Sequence, residues 1–127
     1  MIGSGTHMMV DAYTSMSFTT SYLESFLRDM VSLVGMRVIL GPFVQGERNV
    51  WDGWCVLAES HVAIHVHGGE CHVDLFSCRC FDAGIPLGLM RQRLKLSQMK
   101  VAVIERPMPD PIGGRDDRHI DEVSAGR

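Results

Sequence analysis

The sequence predicts a two-layer α/β sandwich of the α+β type, with a mostly antiparallel sheet and helices on one face. Segments in which apolar and polar residues alternate are typical of strands, and residues 61–67 (HVAIHVH) are the clearest example. Two longer segments, residues 21–34 and 82–96, repeat apolar residues at helical spacing. Gly68 and Gly69 separate two alternating segments and suit a two-residue hairpin turn, which joins antiparallel strands.

Length and composition indicate one globular domain. The chain has 127 residues, of which 46% are hydrophobic, so it can bury a core. A net charge of −3 with scattered basic residues argues against a nucleic-acid partner. The sequence shows neither an apolar run long enough to cross a membrane nor the pattern of a secretion signal, so we expect a cytoplasmic protein. The domain is expected to span residues 1–106, and residues 107–127, which are rich in Pro, Gly, Asp and Arg, are expected to form a mobile tail.

The N-terminal part is expected to form a strand and then a helix. Residues 7–13 are mostly apolar and predict the first strand. Ser21 and Glu24 fit a capping box, in which each side chain satisfies a free backbone N–H at the start of a helix. Gly35 follows the last apolar residue of the helical repeat, where a left-handed cap is expected to end the helix.

The middle of the chain is expected to consist of strands. Residues 36–40 predict one strand, and residues 45–49 are polar and predict a loop. The loop leads into an apolar strand at residues 54–58. After the alternating segment that precedes the two glycines, residues 71–78 continue the same pattern on their other side.

The predicted hairpin brings distant residues together. With Gly68 and Gly69 as the turn, His65 faces His72. The same register places Cys78 beside the Glu59-Ser60 peptide bond. This proximity follows from strand pairing rather than from closeness in the sequence.

The C-terminal part predicts a helix and a final strand. Asp82 can cap a helix that continues to about Leu96. This helix directs Leu87, Met90 and Leu94 toward the sheet. Residues 99–105 predict the last strand.

Cysteine and histidine are concentrated in one part of the chain. The four cysteines are too few and too clustered for the disulfide framework of a small secreted protein, so we expect free thiols. Both residue types can bind zinc, but the alternating histidines and the Cys78-Arg-Cys80 spacing differ from the patterns of structural zinc sites. Metal binding is therefore a minor hypothesis, and the side chains could also be ordinary half-buried sheet residues.

Two strings in this region resemble the S-adenosylmethionine decarboxylase family. Bacterial and archaeal members carry an E-S-H-x-x-I-H strand followed by a (V/L)-D-(V/I/L)-F-(T/S)-C strand. Residues 58–65 read AESHVAIH and residues 73–78 read VDLFSC, so both strings are present in order. The resemblance extends more weakly over most of residues 5–106.

The resemblance implies a pyruvoyl enzyme that is made by self-cleavage. Ser60 would attack the carbonyl group of Glu59 and become the pyruvoyl group at the start of a new chain. By matching positions, His65 corresponds to the family's processing histidine, and Cys78 corresponds to the cysteine that protonates the substrate carbon. The resemblance also implies a homodimer of cleaved chains with active sites near the interface.

These residue types suit the chemistry. Decarboxylation of an α-amino acid needs an electron sink, and a ketone that forms a Schiff base supplies one. A thiol and an imidazole can move protons near neutral pH. In an ideal strand, however, the side chains of Ser60 and His65 point to opposite faces, so we expect a local twist or turn at Glu59-Ser60 to bring them together.

The sequence departs from the family at two binding positions. The family commonly carries an aromatic-Pro-Glu stretch whose Glu holds the ribose hydroxyls; this chain has the shorter stretch HGGE, in which Glu70 is the candidate replacement. Asp52 stands where the family usually has a serine that assists processing. Its carboxylate could accept a hydrogen bond or bind a cationic group of the substrate. The candidates for the aromatic pair that stacks on adenine are Phe43, Trp51 and Trp54.

The leading hypothesis is a decarboxylase of S-adenosylmethionine, a small-molecule substrate, which yields the aminopropyl donor for spermidine synthesis. A second hypothesis keeps the pyruvoyl mechanism and replaces the substrate by ornithine or arginine. A third is an unprocessed homologue that serves as a binding or regulatory subunit.

Overall fold

The computed structural model describes residues 4–109, which form a six-stranded sheet and two helices. The strands are β1 (Ser4–Tyr13), β2 (Val38–Glu47), β3 (Val50–Leu57), β4 (Ser60–His67), β5 (Glu70–Ser77) and β6 (Ser97–Pro107). The helices are α1 (Thr20–Leu33), between β1 and β2, and α2 (Gly84–Leu94), between β5 and β6. Within the described range, neither helix is long and apolar enough to span a membrane.

All neighbouring strands run antiparallel, in the order β2-β3-β4-β5-β1-β6. The turn between β4 and β5 consists of Gly68 and Gly69, whose φ angles of 59° and 94° are left-handed, as the hairpin prediction requires. The predicted register is confirmed, because His65 pairs with His72. β1 is inserted between β5 and β6, so the first strand lies next to the last two.

The helices cover one face of the sheet. Val62, Ile64 and Val66 of β4 alternate with the histidines and are buried in one core with Leu27 of α1 and Met90 of α2. Burying a large apolar side chain contributes about 1.5–3 kcal/mol, so this layer contact is the main source of stability. The predicted two-layer sandwich with helices on one face is confirmed.

The other side of the sheet, which we call the uncovered face, has no helix packed on it within residues 4–109. It carries a high proportion of charged and imidazole side chains. Its members on the four central strands are Val50, Asp52, Trp54 and Val56 of β3, His61, Ala63, His65 and His67 of β4, Glu70, His72, Asp74 and Phe76 of β5, and His7, Met9, Asp11 and Tyr13 of β1. Large apolar side chains, among them Trp54 with 42% of its surface exposed, also face solvent on this side.

Helix α1 begins earlier than predicted. The hydroxyl oxygen of Thr19 accepts a hydrogen bond from the backbone N–H of Tyr22 at 3.1 Å, and Thr19 has the extended backbone typical of an N-cap. The predicted capping box of Ser21 and Glu24 is therefore wrong, because a threonine two residues earlier already satisfies the first turn. The C-terminal prediction is confirmed, since Gly35 has a left-handed φ of 73°.

Helix α2 is shorter than predicted and is tied to α1. The backbone N–H of Gly84 donates to the carboxylate of Asp82 at 3.0 Å, so Asp82 satisfies a helix N–H from one position before the N-cap. The helix ends at Leu94, because Lys95 adopts a left-handed φ of 54°. The hydroxyl group of Tyr22 in α1 donates to the carbonyl oxygen of Arg93 at 2.9 Å and links the two helices.

Several strand limits also differ from the predictions; β3, for example, begins at Val50 and not at residue 54. The expected loop at residues 45–49 is mostly strand, because pairing with β3 continues as far as Glu47. Pro107, predicted to begin the tail, is the last residue of β6 and pairs with Ser4. Residues 110–127 of the predicted tail lie outside the described residues.

Candidate active site

Ser60 lies at the turn that joins β3 to β4. Leu57 and Ser60 pair across this turn, which consists of Ala58 and Glu59. Glu59 is exposed and has a left-handed φ of 62°, which costs a residue other than glycine roughly 1–2 kcal/mol. The Glu59-Ser60 peptide bond therefore connects a strained, accessible residue to a buried one.

The side chain of Ser60 is held by the segment that follows β5. Its Oγ accepts a hydrogen bond from the backbone N–H of Cys78 at 2.9 Å, and only 6% of the residue is exposed. Cys78 is half-buried and lines a cavity of about 460 Å³ together with Glu59. The other lining residues are Gly35, Met36, Arg37, Ala58 and Arg79. The structure thus brings Glu59, Ser60 and Cys78 together.

His65 lies on the uncovered face, five residues further along β4. Its Nδ1 is 2.7 Å from Oδ1 of Asp52, which pairs with it on β3. Five residues of strand extend about 17 Å, and the side chains of Ser60 and His65 point to opposite faces. The turn at Glu59 does not alter this arrangement, because Ser60 stays buried on the helix side. One copy of the chain therefore does not bring His65 to Ser60, and the expected local approach is wrong.

His72 forms a second pair of the same kind on the neighbouring strands. Its Nδ1 is 2.7 Å from Oδ1 of Asp11, and its Nε2 is 3.4 Å from Oε1 of Glu70. Asp52, His65, His72 and Asp11 consequently follow one another across β3, β4, β5 and β1; we call them the Asp-His-His-Asp row. The hydrogen bond with Asp11 raises the pKa of His72; partial desolvation opposes this, and Glu70 reinforces it.

Sequence reasoning missed the contribution of Asp11 to this row. Asp11 and His72 are 61 residues apart in the chain, and no motif connects them. The available signal was the strand predicted at residues 7–13, but the sequence does not show that this strand pairs with β5.

The two other predicted binding residues lie in different environments. Glu70 is exposed on the uncovered face beside the row, and its carboxylate contacts His72. Trp51 is 5% exposed in the core, where its Nε1 donates to the carbonyl oxygen of Arg48 at 2.9 Å. Trp51 and Asp52 are adjacent on β3 and point to opposite faces of the sheet, so the two candidate binding residues do not lie in one site.

An aromatic pair is nevertheless present on the uncovered face. The rings of Phe43 and Trp54 are 4.7 Å apart between centroids and tilted by 36°, and both residues are exposed. They line an open cavity of about 360 Å³ together with Gln45 and Asp52. The cavity combines two π surfaces with a carboxylate and an amide next to His65.

Comparison with known proteins identifies the family. The model of the S-adenosylmethionine decarboxylase family matches residues 6–107. The chain belongs to this family. Membership indicates that it is a decarboxylase.

Individual relatives support the assignment at low identity. The chain is 22% identical over 110 residues to an S-adenosylmethionine decarboxylase proenzyme of Clostridium botulinum strain Hall, covering 81% of this chain and 94% of that protein. The proenzyme of strain Loch Maree is 23% identical over the same length and coverage. The crystal structure of the adenosylmethionine decarboxylase from Aquifex aeolicus matches with a TM-score of 0.68 and 18% identity, covering 91% of this chain and 100% of that one. This structural likeness shows that the fold is shared.

The four cysteines of this member of the decarboxylase family fall into two groups. Burial raises the pKa of Cys71 to about 12 and also raises the pKa of Cys55, so both thiols stay protonated in the core. Cys78 is half-buried and Cys80 is exposed. Within the described residues, no three His, Cys, Asp or Glu side chains are arranged to hold a metal ion.

Proposed function

We propose that this chain is a self-processing decarboxylase that forms a pyruvoyl group from Ser60 and acts on S-adenosylmethionine. The observation that carries the proposal is the geometry of the Glu59-Ser60 turn. Glu59 is strained and accessible, while Oγ of Ser60 is held in place by the Cys78 N–H at 2.9 Å. The attacking hydroxyl group and the peptide bond that it would cleave are therefore adjacent in the folded precursor.

In the proposed processing, Oγ of Ser60 attacks the carbonyl carbon of Glu59 and replaces the peptide bond by an ester. Elimination then breaks the Cβ–Oγ bond of residue 60 and releases Glu59 with a free carboxylate. Water finally displaces the nitrogen of residue 60 as ammonia and leaves a ketone. Residues 1–59 become the β chain and residues 60–127 the α chain. Cleavage relieves the left-handed strain at Glu59, which favours the reaction.

Cys78 is the proposed proton donor of the decarboxylation. The pyruvoyl ketone supplies the electron sink that carbon dioxide release requires. Cys78 lines the cavity beside Glu59, and its backbone N–H contacts Oγ of Ser60, so its thiol lies close to the end of the new α chain and can deliver a proton to the substrate carbon. The half-buried position limits the access of water to that carbon.

The proposed active unit is a homodimer. A single copy separates Ser60 from His65 by about 17 Å along β4 and places them on opposite faces. The uncovered face exposes Trp54, Val56 and Phe43, which a second copy can bury. Apposition of two such faces would bring His65 of the partner subunit toward the Glu59-Ser60 turn, where it can transfer protons during processing.

The proposed substrate contacts involve the aromatic pair. Phe43 and Trp54 provide flat surfaces for adenine, and their π faces attract a cation such as the sulfonium group. The product would be the aminopropyl donor for spermidine synthesis. All four cysteines are free thiols, in keeping with the reducing cytoplasm.

One observation favours ornithine or arginine as an alternative substrate. Glu70, the candidate partner of the ribose hydroxyls, is engaged by His72 at 3.4 Å. If no carboxylate is free to bind ribose, the nucleoside loses a specific contact. A smaller cationic amino acid would not need that contact.

The first experiment measures the intact mass of the denatured full-length protein. We expect two chains split between Glu59 and Ser60, with a ketone at the start of the α chain. Ser60→Ala should give one uncut chain. Ser77→Ala is the matched control, because Ser77 is a buried serine on the neighbouring strand and its loss should leave cleavage intact. An uncut wild-type chain would contradict the proposal and favour a regulatory homologue.

A second experiment assigns the substrate. Release of carbon dioxide is measured from S-adenosylmethionine, ornithine and arginine separately. Turnover of S-adenosylmethionine is expected, and it should fall when Trp54 is replaced by Ala. Activity on the amino acids alone would reject S-adenosylmethionine and establish the alternative.

A further inference from the structure

The sequence left two roles open for the carboxylate of Asp52, and its pairing with His65 indicates which one it has. We propose that Asp52 is a positioning residue, which holds the imidazole of His65 with its hydrogen on Nδ1 and leaves Nε2 to exchange protons. This inference rests on the proposed function, in which His65 is the proton-transfer residue of processing.

The hydrogen bond determines the tautomer. An ionised carboxylate can only accept hydrogen bonds, so Nδ1 of His65 must carry the hydrogen that fills the 2.7 Å contact with Oδ1 of Asp52. In neutral imidazole the other nitrogen, Nε2, then has a lone pair and can accept a proton. No side chain among residues 4–109 forms a hydrogen bond with this Nε2.

The surroundings make Asp52 the controlling neighbour of His65. On β5, His72 faces His65 directly, and Glu70 and Asp74 are its diagonal neighbours. His72 is already hydrogen-bonded to Asp11, and Glu70 is directed to His72. Asp74 is directed to His7, with its Oδ1 3.5 Å from Nε2 of that ring.

The remaining neighbours of His65 leave no competing carboxylate nearby. His67 is the nearest titratable residue on its own strand, and the apolar Val50 and Trp54 flank Asp52 on β3. The helices lie on the other side of the sheet. Asp52 is therefore the carboxylate that sets the orientation of this ring.

The bonding pattern also distinguishes positioning from direct substrate binding. Oδ1 of Asp52 is used by His65, so the carboxylate influences a substrate chiefly through the imidazole. A serine, which the resembling family usually has at this position, can also accept a hydrogen bond from a ring N–H, but it carries no charge. Asp52→Ser should consequently retain the orientation of His65 in part.

The structure offers a matched control for this role. Asp11 and His72 form a pair with the same 2.7 Å distance between the same atoms, on the same face of the sheet. Neither residue belongs to the proposed catalytic set. Removing Asp11 thus breaks an equivalent contact at a place where processing should not depend on it.

The first test determines the histidine tautomers by nitrogen-15 NMR of the full-length Ser60→Ala precursor, near pH 8. We expect His65 to carry its hydrogen on Nδ1. Asp52→Ala should shift His65 toward the Nε2–H form, while His72 stays unchanged. Asp11→Ala should show the reverse. If His65 carries its hydrogen on Nε2 with Asp52 present, the proposal is wrong.

The second test follows self-cleavage of protein made by cell-free synthesis, by mass spectrometry, between pH 6 and pH 9. Loss of a partner that orients a histidine costs about 10–100-fold at metal sites, and we expect a comparable slowing of cleavage for Asp52→Ala, with a changed pH profile. Asp52→Ser should lie between Asp52→Ala and the wild type, and Asp11→Ala should stay close to the wild type.

The outcomes test the positioning role of Asp52 and the proposed function independently. Wild-type cleavage kinetics in Asp52→Ala, or equal slowing by Asp11→Ala, would overturn the positioning role. A wild-type chain that never cleaves would reject the proposed function, and the NMR measurement would still decide whether Asp52 positions His65.

Discussion

The histidines of the uncovered face differ in chemistry because their immediate neighbours differ. The hydrogen bond with Asp11 raises the pKa of His72. Burial lowers the pKa of His61, and the nearby His7 lowers it further, although Asp74 opposes the effect. On one face of the sheet, the surroundings of His72 thus favour its protonated form, and those of His61 favour its neutral form. The number of histidines in the sequence could not show this difference.

The four cysteine thiols should differ in their reactivity toward an alkylating reagent. Alkylation of the native full-length protein with iodoacetamide at pH 7.5 is expected to modify Cys78 and Cys80. Cys55 and Cys71 should react only after denaturation, because burial keeps them protonated. Peptide mass spectrometry measures the labelled positions. Rapid native labelling of Cys71 would contradict the core placement.

Cys78 and Cys80 provide a test of the proton donor. Cys78→Ala is expected to cleave between Glu59 and Ser60 and yet to lose decarboxylation by at least about 100-fold, the lower end of general acid catalysis. Cys80→Ala should retain activity, because Cys80 does not line the cavity beside Glu59. The measurement combines intact mass with carbon dioxide release. Equal activity of both variants would exclude Cys78 as the donor.

Among the elements, β1 makes the least local contribution to the Asp-His-His-Asp row. It lies between β5 and β6 and brings Asp11 to His72 from 61 residues away. The β4–β5 hairpin is local by comparison, because two left-handed glycines set its register. The Asp-His-His-Asp row therefore joins β3, β4 and β5, which are consecutive in the chain, to the distant strand β1.

The contact between β1 and β5 should make stability depend on pH. Because the folded-state pKa of His72 is raised, the stabilisation by Asp11 is fully present below the unfolded value of about 6.5 and is lost as the pH rises through the folded value. The wild type should exceed Asp11→Asn in unfolding free energy more at pH 5.5 than at pH 8.5. The difference should stay below about 1 kcal/mol, because solvent screens this half-exposed pair. Urea denaturation at both pH values measures it, and a larger gap at pH 8.5 would contradict the assignment.

At the scale of the whole molecule, the sandwich that residues 4–109 form is one-sided. The helices bury one face of the sheet, while the uncovered face combines exposed apolar residues with the proposed proton-transfer histidine. This asymmetry is the physical argument for a second copy, since the same association would bury apolar surface and complete the site.

Association through the uncovered face can be tested by a pair of charge substitutions. Val56→Asp, on that face, is expected to convert a dimer into a monomer. Ile85→Asp is the control, because Ile85 is exposed on α2, on the helix side of the sheet. Analytical ultracentrifugation of both full-length variants gives the mass. A dimer that survives Val56→Asp but not Ile85→Asp would place the interface on the helices.

The sequence by itself determined the features that depend on local pattern. Period-two alternation marked the buried and exposed faces of β4 and β5, and the two glycines fixed a register that brought Cys78 to Ser60. Tertiary structure decided the features that depend on strand order and packing. The placement of β1 beside β5 paired Asp11 with His72, and the burial of Ser60 left no local twist at Glu59-Ser60 that could bring it to His65. The physical reason is that the residues of a strand determine which of its faces is buried. Which strands lie beside it depends on how all the elements pack to bury the core.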